Sequence, residues 1–410
     1  MLREDAIMIV KGNRRIMSIG YSADTAEIMF ELLRSEMCGI QIDPEIGKRL
    51  TSESVEAVYS LAAGHDLAHI VGQALSKLGI LDNSEVSQKF KEASMQAVRR
   101  YIYLSHAYGE ICQTLESAHI PFIPLKGAVI RDYYPEPWMR TSCDIDVLVK
   151  KENLQQAADA LVGTLGYIAK GVGDHDMALY SLAGVRLELH YDTIQPRWEV
   201  NNCRNVLANI WDDATAEDTQ IYRRNMSDGM RYFYHMAHMS KHIRGGGCGI
   251  RPFLDIWLMN HNMTFDSQKR QALLQEGGLL KFAQAMEHVA EVWFSGEQPD
   301  LHTQQVIDYI LRAGTYGNYE NKAVYGQAKK GGRLGYLIST RVFLPYHYLK
   351  MSYPVLERHK WLIPLFQIVR WFDLLRKGQL KCGFRELKMN MKISEENRDE
   401  TAQLQEYLGI

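Results

Sequence analysis

Val86, Phe90, Ala93, Ala97, Tyr101, Leu104, Tyr108, Ile111 and Leu115 follow one another at steps of three and four, a period that lays all nine on one stripe of a single long helix. Such a stripe faces a core, so the chain around it must supply matching apolar surface. Directly after it the period changes. Pro121 to Leu125 is a short apolar run between prolines, followed by Lys126-Gly127 and a helix-compatible stretch, Ala128 to Tyr134, that Pro135 and Pro137 terminate. Cys143 to Val149 reads as a strand from its β-branched content. Residues 151 to 162 are helical by the placement of Leu154, Ala158 and Leu161, with Gly163 and Gly166 punctuating their end. Val185 to Asp192 alternates strictly, apolar at odd and polar at even positions, which is the period of a half-buried strand. Strand, helix, strand, helix, strand predicts a small α/β unit.

Helical patterns flank that unit on both sides. Before it, residues 22 to 118 carry helical spacing, with Asp24 and Glu27 placed as a capping box ahead of Ile28 to Leu33. After Trp198, helices are predicted over Tyr232 to Ile243, Phe253 to Met259, 270 to 295 and 302 to 312. The expected division is a helical region over 1–117, an α/β core over 118–200, a helical domain over 201–313, a Gly-, Asn- and Lys-rich linker over 314–335, and an apolar-basic helical region with an acidic tail over 336–410. The fold class expected is α+β.

Composition narrows the function classes. The 410 residues are 46% hydrophobic and 23% charged, which excludes disorder, and the net charge of -2 gives no whole-chain attraction to nucleic acid or anionic lipid. Positive charge is instead local: Lys360 to Lys392 holds eight Lys/Arg against Asp373 and Glu386, interleaved with Trp361, Phe366, Trp371, Phe372 and Phe384. An amphipathic helix packed on the body is the expected reading of that segment, with the acidic tail from Ile393 available to pair with it. The opening MLREDAIMIVKGNRR shows no signal-peptide pattern, no run reaches membrane-spanning length, and a cytoplasmic location is expected. Cys38, Cys112, Cys143, Cys203, Cys248 and Cys382 form no Cys-x-x-Cys pair and are expected as reduced, mostly buried thiols.

The chemistry lies in the α/β unit. Asp144 and Asp146 are two apart on a strand, so both carboxylates leave the same face. Two like charges so close are costly without a cation between them, and a divalent ion bound by oxygen, Mg²⁺ in particular, meets that need. Glu188 offers a third carboxylate on the polar face of its own strand, with His190 and Asp192 beyond it. Three carboxylates from neighbouring strands suit two metal ions and in-line displacement at phosphorus. Lys126-Gly127 fits a strand-to-helix turn facing an anion.

These residues also resemble a known family. Ile-Pro-Phe-Ile-Pro-Leu-Lys-Gly-Ala (120–128), Arg-Thr-Ser-Cys-Asp-Ile-Asp-Val-Leu-Val (140–149) and Leu-Glu-Leu-His-Tyr (187–191) are similar to the bacterial uncharacterised nucleotidyltransferases of the DNA polymerase β-like superfamily. Phe30 to Arg34, His238, Asp255, Phe343 to Pro345 and Tyr353-Pro354 extend the likeness to about residues 25–378. The resemblance implies a small mixed sheet with helices, set between helical regions. It implies two Mg²⁺ (or Mn²⁺) ions held by Asp144, Asp146 and Glu188, and an NTP whose phosphates meet Lys126, Gly127 and Arg140. The implied acceptor is open: protein, tRNA, sugar or small molecule. His190 is a supporting residue, and His238 and Asp255 are expected to hydrogen-bond across two helices behind the site. Gly127 is followed by Ala128, where the superfamily commonly has Ser or Gly. The alternatives are a catalytically silent binding protein of this fold and a phosphoryl transferase.

Two further patterns have plainer readings. His235, His238 and His242 share a helix face, and the last two have the spacing of a metal pair, but no third ligand is evident, so packing or substrate contact is expected. The loop Gly245 to Gly249 between Arg244 and Arg251 lacks the Lys-Ser/Thr of a phosphate loop and reads as a helix-helix connection.

Overall fold

A computed structural model of the chain describes residues 20–194, 202–216, 220–315, 317–376, 390–391 and 393–410. The opening stretch read for a signal peptide, Trp198, Cys382, Phe384 and Glu386 lie outside the described residues.

The protein is α+β: a five-stranded mixed sheet set among helices. Its strands are β1 (Phe122–Pro124), β2 (Asp144–Val149), β3 (Ile168–Val172), β4 (Asp176–Tyr180) and β5 (Arg186–His190), in the order β1-β2-β5-β4-β3. Only β2 and β5 run parallel. They are joined by the helix Leu154–Leu165 and the β3–β4 hairpin, the long connection that a parallel pair requires. The hairpin is an addition to the elements expected from sequence: β3 is exposed throughout and carries a bulge between Ala169 and Val172, so no burial period marks that strand, although β4 alternates in burial. The helix runs through Gly163 and stops at Gly166, which takes the left-handed conformation.

The nine-residue stripe becomes the helix Glu85–Ser117, capped by Ser84, whose hydroxyl accepts from the Ser87 N–H. It is long enough to serve two cores. At its N-terminal end Phe90 joins the larger core, built from the helices before the sheet and those after it; Leu104, Ile111 and Leu115 join a smaller core with Ile145, Val147, Leu161, Leu187 and Leu189. The odd positions of β2 and β5 thus face that helix and Leu154–Leu165. The opposite face meets the larger core through Ile123 and Leu148. Asp144 and Asp146 share that second face with Leu148 by strand period, and there the helical body stands back to leave a cleft.

Elsewhere the structure adjusts local expectations. The first helix, Ala23–Cys38, is capped by Ser22 rather than by an Asp24–Glu27 box; Asp24 and Glu27 both pair with Arg49. Within 314–335, Tyr319–Lys329 forms a helix, and Gln405 of the acidic tail helix Glu395–Leu408 donates to the Tyr325 carbonyl at 3.2 Å. Leu404 and Leu408 anchor that tail helix in the larger core. The loop Gly245–Gly249 connects the helices Asp228–Arg244 and Arg251–Asn262, as expected. A Cβ on Gly247 would fall 2.3 Å from the Ala313 Cβ, and one on Gly249 2.9 Å from the Thr315 backbone, so these glycines permit close packing rather than anion binding. Cys112, Cys203 and Cys248 are buried, Cys38 is half-buried and Cys143 is exposed. No described helix is long and apolar enough to cross a membrane.

Candidate active site

The parallel register of β2 and β5 sets Asp144 against Arg186, Asp146 against Glu188 and Leu148 against His190. Neighbouring strands lie about 4.8 Å apart, so carboxylates on one face of paired positions must meet. One ligand atom each from Asp146, Glu188 and His190 lie within 4.8 Å of one another, the group among the described residues suited to hold a metal ion. Asp144 lines the same cleft, of about 640 Å³, one strand period away from that convergence. His190, expected in support, is a member of the cluster itself.

Asp146 is the most enclosed of the three carboxylates, at 5% exposure. Its Oδ1 accepts from Lys126 Nζ at 2.7 Å and lies 2.8 Å from His190 Nε2. His190 Nε2 is also 3.5 Å from Glu188, which pairs with Arg186. Burial by itself would raise the Asp146 pKa, but the Lys126 ammonium and the His190 hydrogen bond hold it well below the usual carboxylate range. Asp144 and Glu188 shift the other way: burial first, and then the charge of Asp146, push both up. The electrostatics of the cluster thus favour the charge on Asp146 and disfavour it on Asp144 and Glu188, although Lys126 and Arg186 partly offset the latter. The carboxylate oxygens are hard donors of the kind that hold a divalent cation, whereas the imidazole of His190 is a softer donor that already meets Asp146 Oδ1.

The Lys126-Gly127 turn stands where the sequence placed it, between β1 and the short helix Gly127–Ile130. Lys126 takes φ 47° and ψ -115°, a conformation that glycine adopts freely and other residues at a cost of about 1–3 kcal/mol. Its ammonium on Asp146 is the contact that accompanies this strain. Burial opposes the Lys126 charge, yet Asp146 and Glu188 outweigh it and raise the pKa. A Cβ on Gly127 would lie 2.7 Å from Arg140 Nη1, so the turn and Arg140 fit only with glycine here.

Arg140, expected on the NTP phosphates, lines the cleft with its guanidinium turned to Asp255. It is buried and forms a bidentate pair with Asp255, Nε to Oδ1 and Nη2 to Oδ2, both at 2.8 Å. Tyr134 donates to the same Asp255 Oδ1 at 2.7 Å. Burial would raise the Asp255 pKa, but Arg140 overrides it and the net shift is down. The expected bond from His238 to Asp255 is therefore not made, because Arg140 and Tyr134 occupy that carboxylate. His238 Nε2 instead lies 3.2 Å from His242 Nε2. His235 faces the Pro252 carbonyl at 3.0 Å, so the three histidines do not converge on a metal.

Opposite the carboxylates, the helix Asp228–Arg244 lines the cleft with Tyr234, His238, Lys241 and His242. Burial, and after it the charge of Lys126, lowers Lys241 to about 8. The sequence reading passed over Tyr234 and Lys241. Their signal was spacing: 234, 238, 241 and 242 recur at steps of three and four, a polar stripe within a helix that otherwise buries Tyr232, Phe233 and Met236. His175, from the unpredicted hairpin, adds a ring 5.4 Å from that of His190. Arg251, on the next helix, also lines the cleft and donates to the Thr141 carbonyl at 2.7 Å.

Comparison with known families bears on this geometry. A family model described as uncharacterised nucleotidyltransferase matches residues 51–295. No curated protein matches the chain. The matched span takes in the long helix, the whole sheet, and the helices that supply Lys241 and Asp255, and it contains the Lys-Gly turn, the Asp-x-Asp strand and the Glu-Leu-His strand around one cleft. With more than half of its length covered, the chain belongs to the uncharacterised nucleotidyltransferase family.

Proposed function

We propose that the protein transfers a nucleoside monophosphate from an NTP, with ATP the first donor to test, to an acceptor. A hydroxyl, amine or phosphate oxygen of that acceptor attacks the α-phosphorus, the bond to the bridging oxygen of the β-phosphate breaks, and pyrophosphate leaves. The observation that carries this reading is the parallel register that brings Asp146, Glu188 and His190 together beside Asp144 in one cleft. Asp144, Asp146 and Glu188 would hold two Mg²⁺ or Mn²⁺ ions, which supply positive charge at the triphosphate when bound. Lys126 and the Gly127 turn hold the departing phosphates, and Lys241 adds a cation from the facing wall. Glu188, raised by burial and by Asp146, takes the acceptor proton. A protein, a tRNA, a sugar or a small molecule is the acceptor, and the supply of NTP places the reaction in the cytoplasm.

The test is to incubate the protein with each labelled NTP, Mg²⁺ or Mn²⁺ and a cell extract, and to find where the label settles. Label on an acceptor, lost with Asp146→Asn, supports the reading; label released only as phosphate opposes it. One observation favours a second reading. Lys126 Nζ already neutralises Asp146 at 2.7 Å, as expected of a silent member that binds nucleotide without metal. NTP binding that is equal with and without EDTA would select that reading.

A further inference from the structure

The helix Ile363–Arg376 is turned inside out relative to a helix packed on a soluble body. Trp361 in the turn before it, then Leu365, Ile368 and Phe372, recur at steps of four, three and four, which is one helical stripe. All four are exposed, at 76%, 53%, 56% and 67%. The inward face is mixed: Phe366 is half-buried with its ring 4.9 Å from that of Tyr353, and Gln367 is buried, its Nε2 donating to the Leu344 carbonyl at 2.6 Å and its Oε1 accepting from the Leu344 N–H at 3.1 Å. That two-way amide pairing fixes the rotation of the helix and so directs the stripe outward, contrary to the packed helix expected from sequence.

Cations stand at both ends of the stripe. Arg358, Lys360 and Arg376 are exposed, and Arg370 stacks on Trp371 with its guanidinium 5.0 Å from a ring centroid. The acidic groups of the same stretch, among the described residues, are already engaged: Asp373 accepts from Tyr353 at 2.7 Å, and Glu357 lies 3.5 Å from Lys350. An exposed apolar stripe carrying Trp and Phe, with cations at both ends, matches an interface with apolar depth and anionic headgroups. Tryptophan suits that boundary in particular.

We propose that this face docks the protein onto the surface of an anionic phospholipid bilayer, lying in the interface without crossing it. The charge complementarity commits the face to lipid, since exposed cations stand at both ends of the stripe, Arg358 and Lys360 before it and Arg376 after it, while the chain as a whole, at -2, has no such attraction. The test uses the full chain in flotation with phosphatidylcholine vesicles, with and without phosphatidylglycerol. Binding at least ~10-fold greater on the anionic vesicles is expected, with a blue shift in tryptophan emission. The double variant Ile368→Ser, Phe372→Ser should lose that binding at unchanged melting temperature, because both side chains are exposed. Asp146→Asn should bind vesicles as the native chain does. Absence of binding to anionic vesicles at low salt, or equal binding by the double variant, overturns the proposal. So does a dimer in sedimentation that the double variant dissolves, which would assign the face to a second copy, or an oligonucleotide that needs the stripe while vesicles do not.

Discussion

Asp146 and Asp255 are both buried aspartates, each paired with a cation and each held below its ordinary pKa, yet they are built for different work. Asp255 is closed: Arg140 and Tyr134 satisfy both of its oxygens with three hydrogen bonds. Asp146 is open: both of its partners, Lys126 and His190, meet Oδ1, and Oδ2 has no hydrogen bond among the described residues. A buried carboxylate normally has its hydrogen-bonding capacity filled. The closed one ties the loop before β2 to the helix Arg251–Asn262. The open one lies beside two more carboxylates, Asp144 and Glu188, whose pKa values burial raises. The comparison teaches that burial and a lowered pKa alone do not mark a functional acid; spare coordination does.

The largest effect expected is on activity at the open site. Asp146→Asn should lower nucleotidyl transfer by at least ~1000-fold, about 4 kcal/mol of barrier, with a smaller loss of stability because Lys126 is left without its carboxylate. Transfer within ~10-fold of the native protein would erase the distinction from Asp255.

At the closed site the cost moves to stability. Arg140→Ala strands a buried carboxylate and should cost about 3–5 kcal/mol in denaturant unfolding, whereas the double replacement Arg140→Met, Asp255→Leu should recover much of it. A stable Arg140→Ala protein that has lost NTP binding would instead make Arg140 a phosphate ligand after all.

Ligand stabilisation sharpens the same contrast. An NTP with Mg²⁺ or Mn²⁺ at about one hundred times Kd should stabilise the fold by about 2.7 kcal/mol, read as a thermal shift. Asp146→Ala should remove the shift and EDTA should abolish it. Persistence of the shift in EDTA points to a metal-free cationic pocket.

Acid should separate both aspartates from the buried histidines. Each aspartate's folded pKa is depressed, so its contribution is complete above the unfolded value and fades only as pH falls below it through the folded pKa. His65 also has a depressed pKa, lowered by burial to about 4, but as a base. The unfolded chain therefore takes up its proton first, and stability falls as pH drops from about 6.5 toward 4. The loss from His65 alone is about 2 kcal/mol by pH 5. His65→Asn should flatten the slope between pH 7 and 5; a slope unchanged by it, but flattened by Arg140→Met, Asp255→Leu, would contradict this assignment.

Much of the candidate site was legible because strand period is strict. Asp144 and Asp146 share a face by counting, and Glu188 and His190 follow from the alternation of Val185 to Asp192. The same counting could not show that Asp146 would stand opposite Glu188, since register between strands separated by a helix and a hairpin depends on contacts distant in sequence. The partner of Arg140 was hidden for a related reason: Asp255 is more than a hundred residues away, on a helix beyond the sheet. Lys241 was missed because a polar stripe on a helix looks solvent-facing until another element closes over it.

What the sequence by itself determined is therefore the strongly periodic part: the long helix, the strands β2 and β5, where the α/β unit begins, and which face of those strands carries the acids. These follow from local geometry and the burial of apolar side chains, which act over a few residues. Tertiary structure decided the rest: that Asp255 is closed by Arg140, that Lys126 meets Asp146 from a strained turn, and that Gln367 is buried against the Leu344 backbone. Each is a pairing of buried polar groups, and the partner a buried polar group finds is set by the three-dimensional packing that removes it from water, not by its neighbours in the chain.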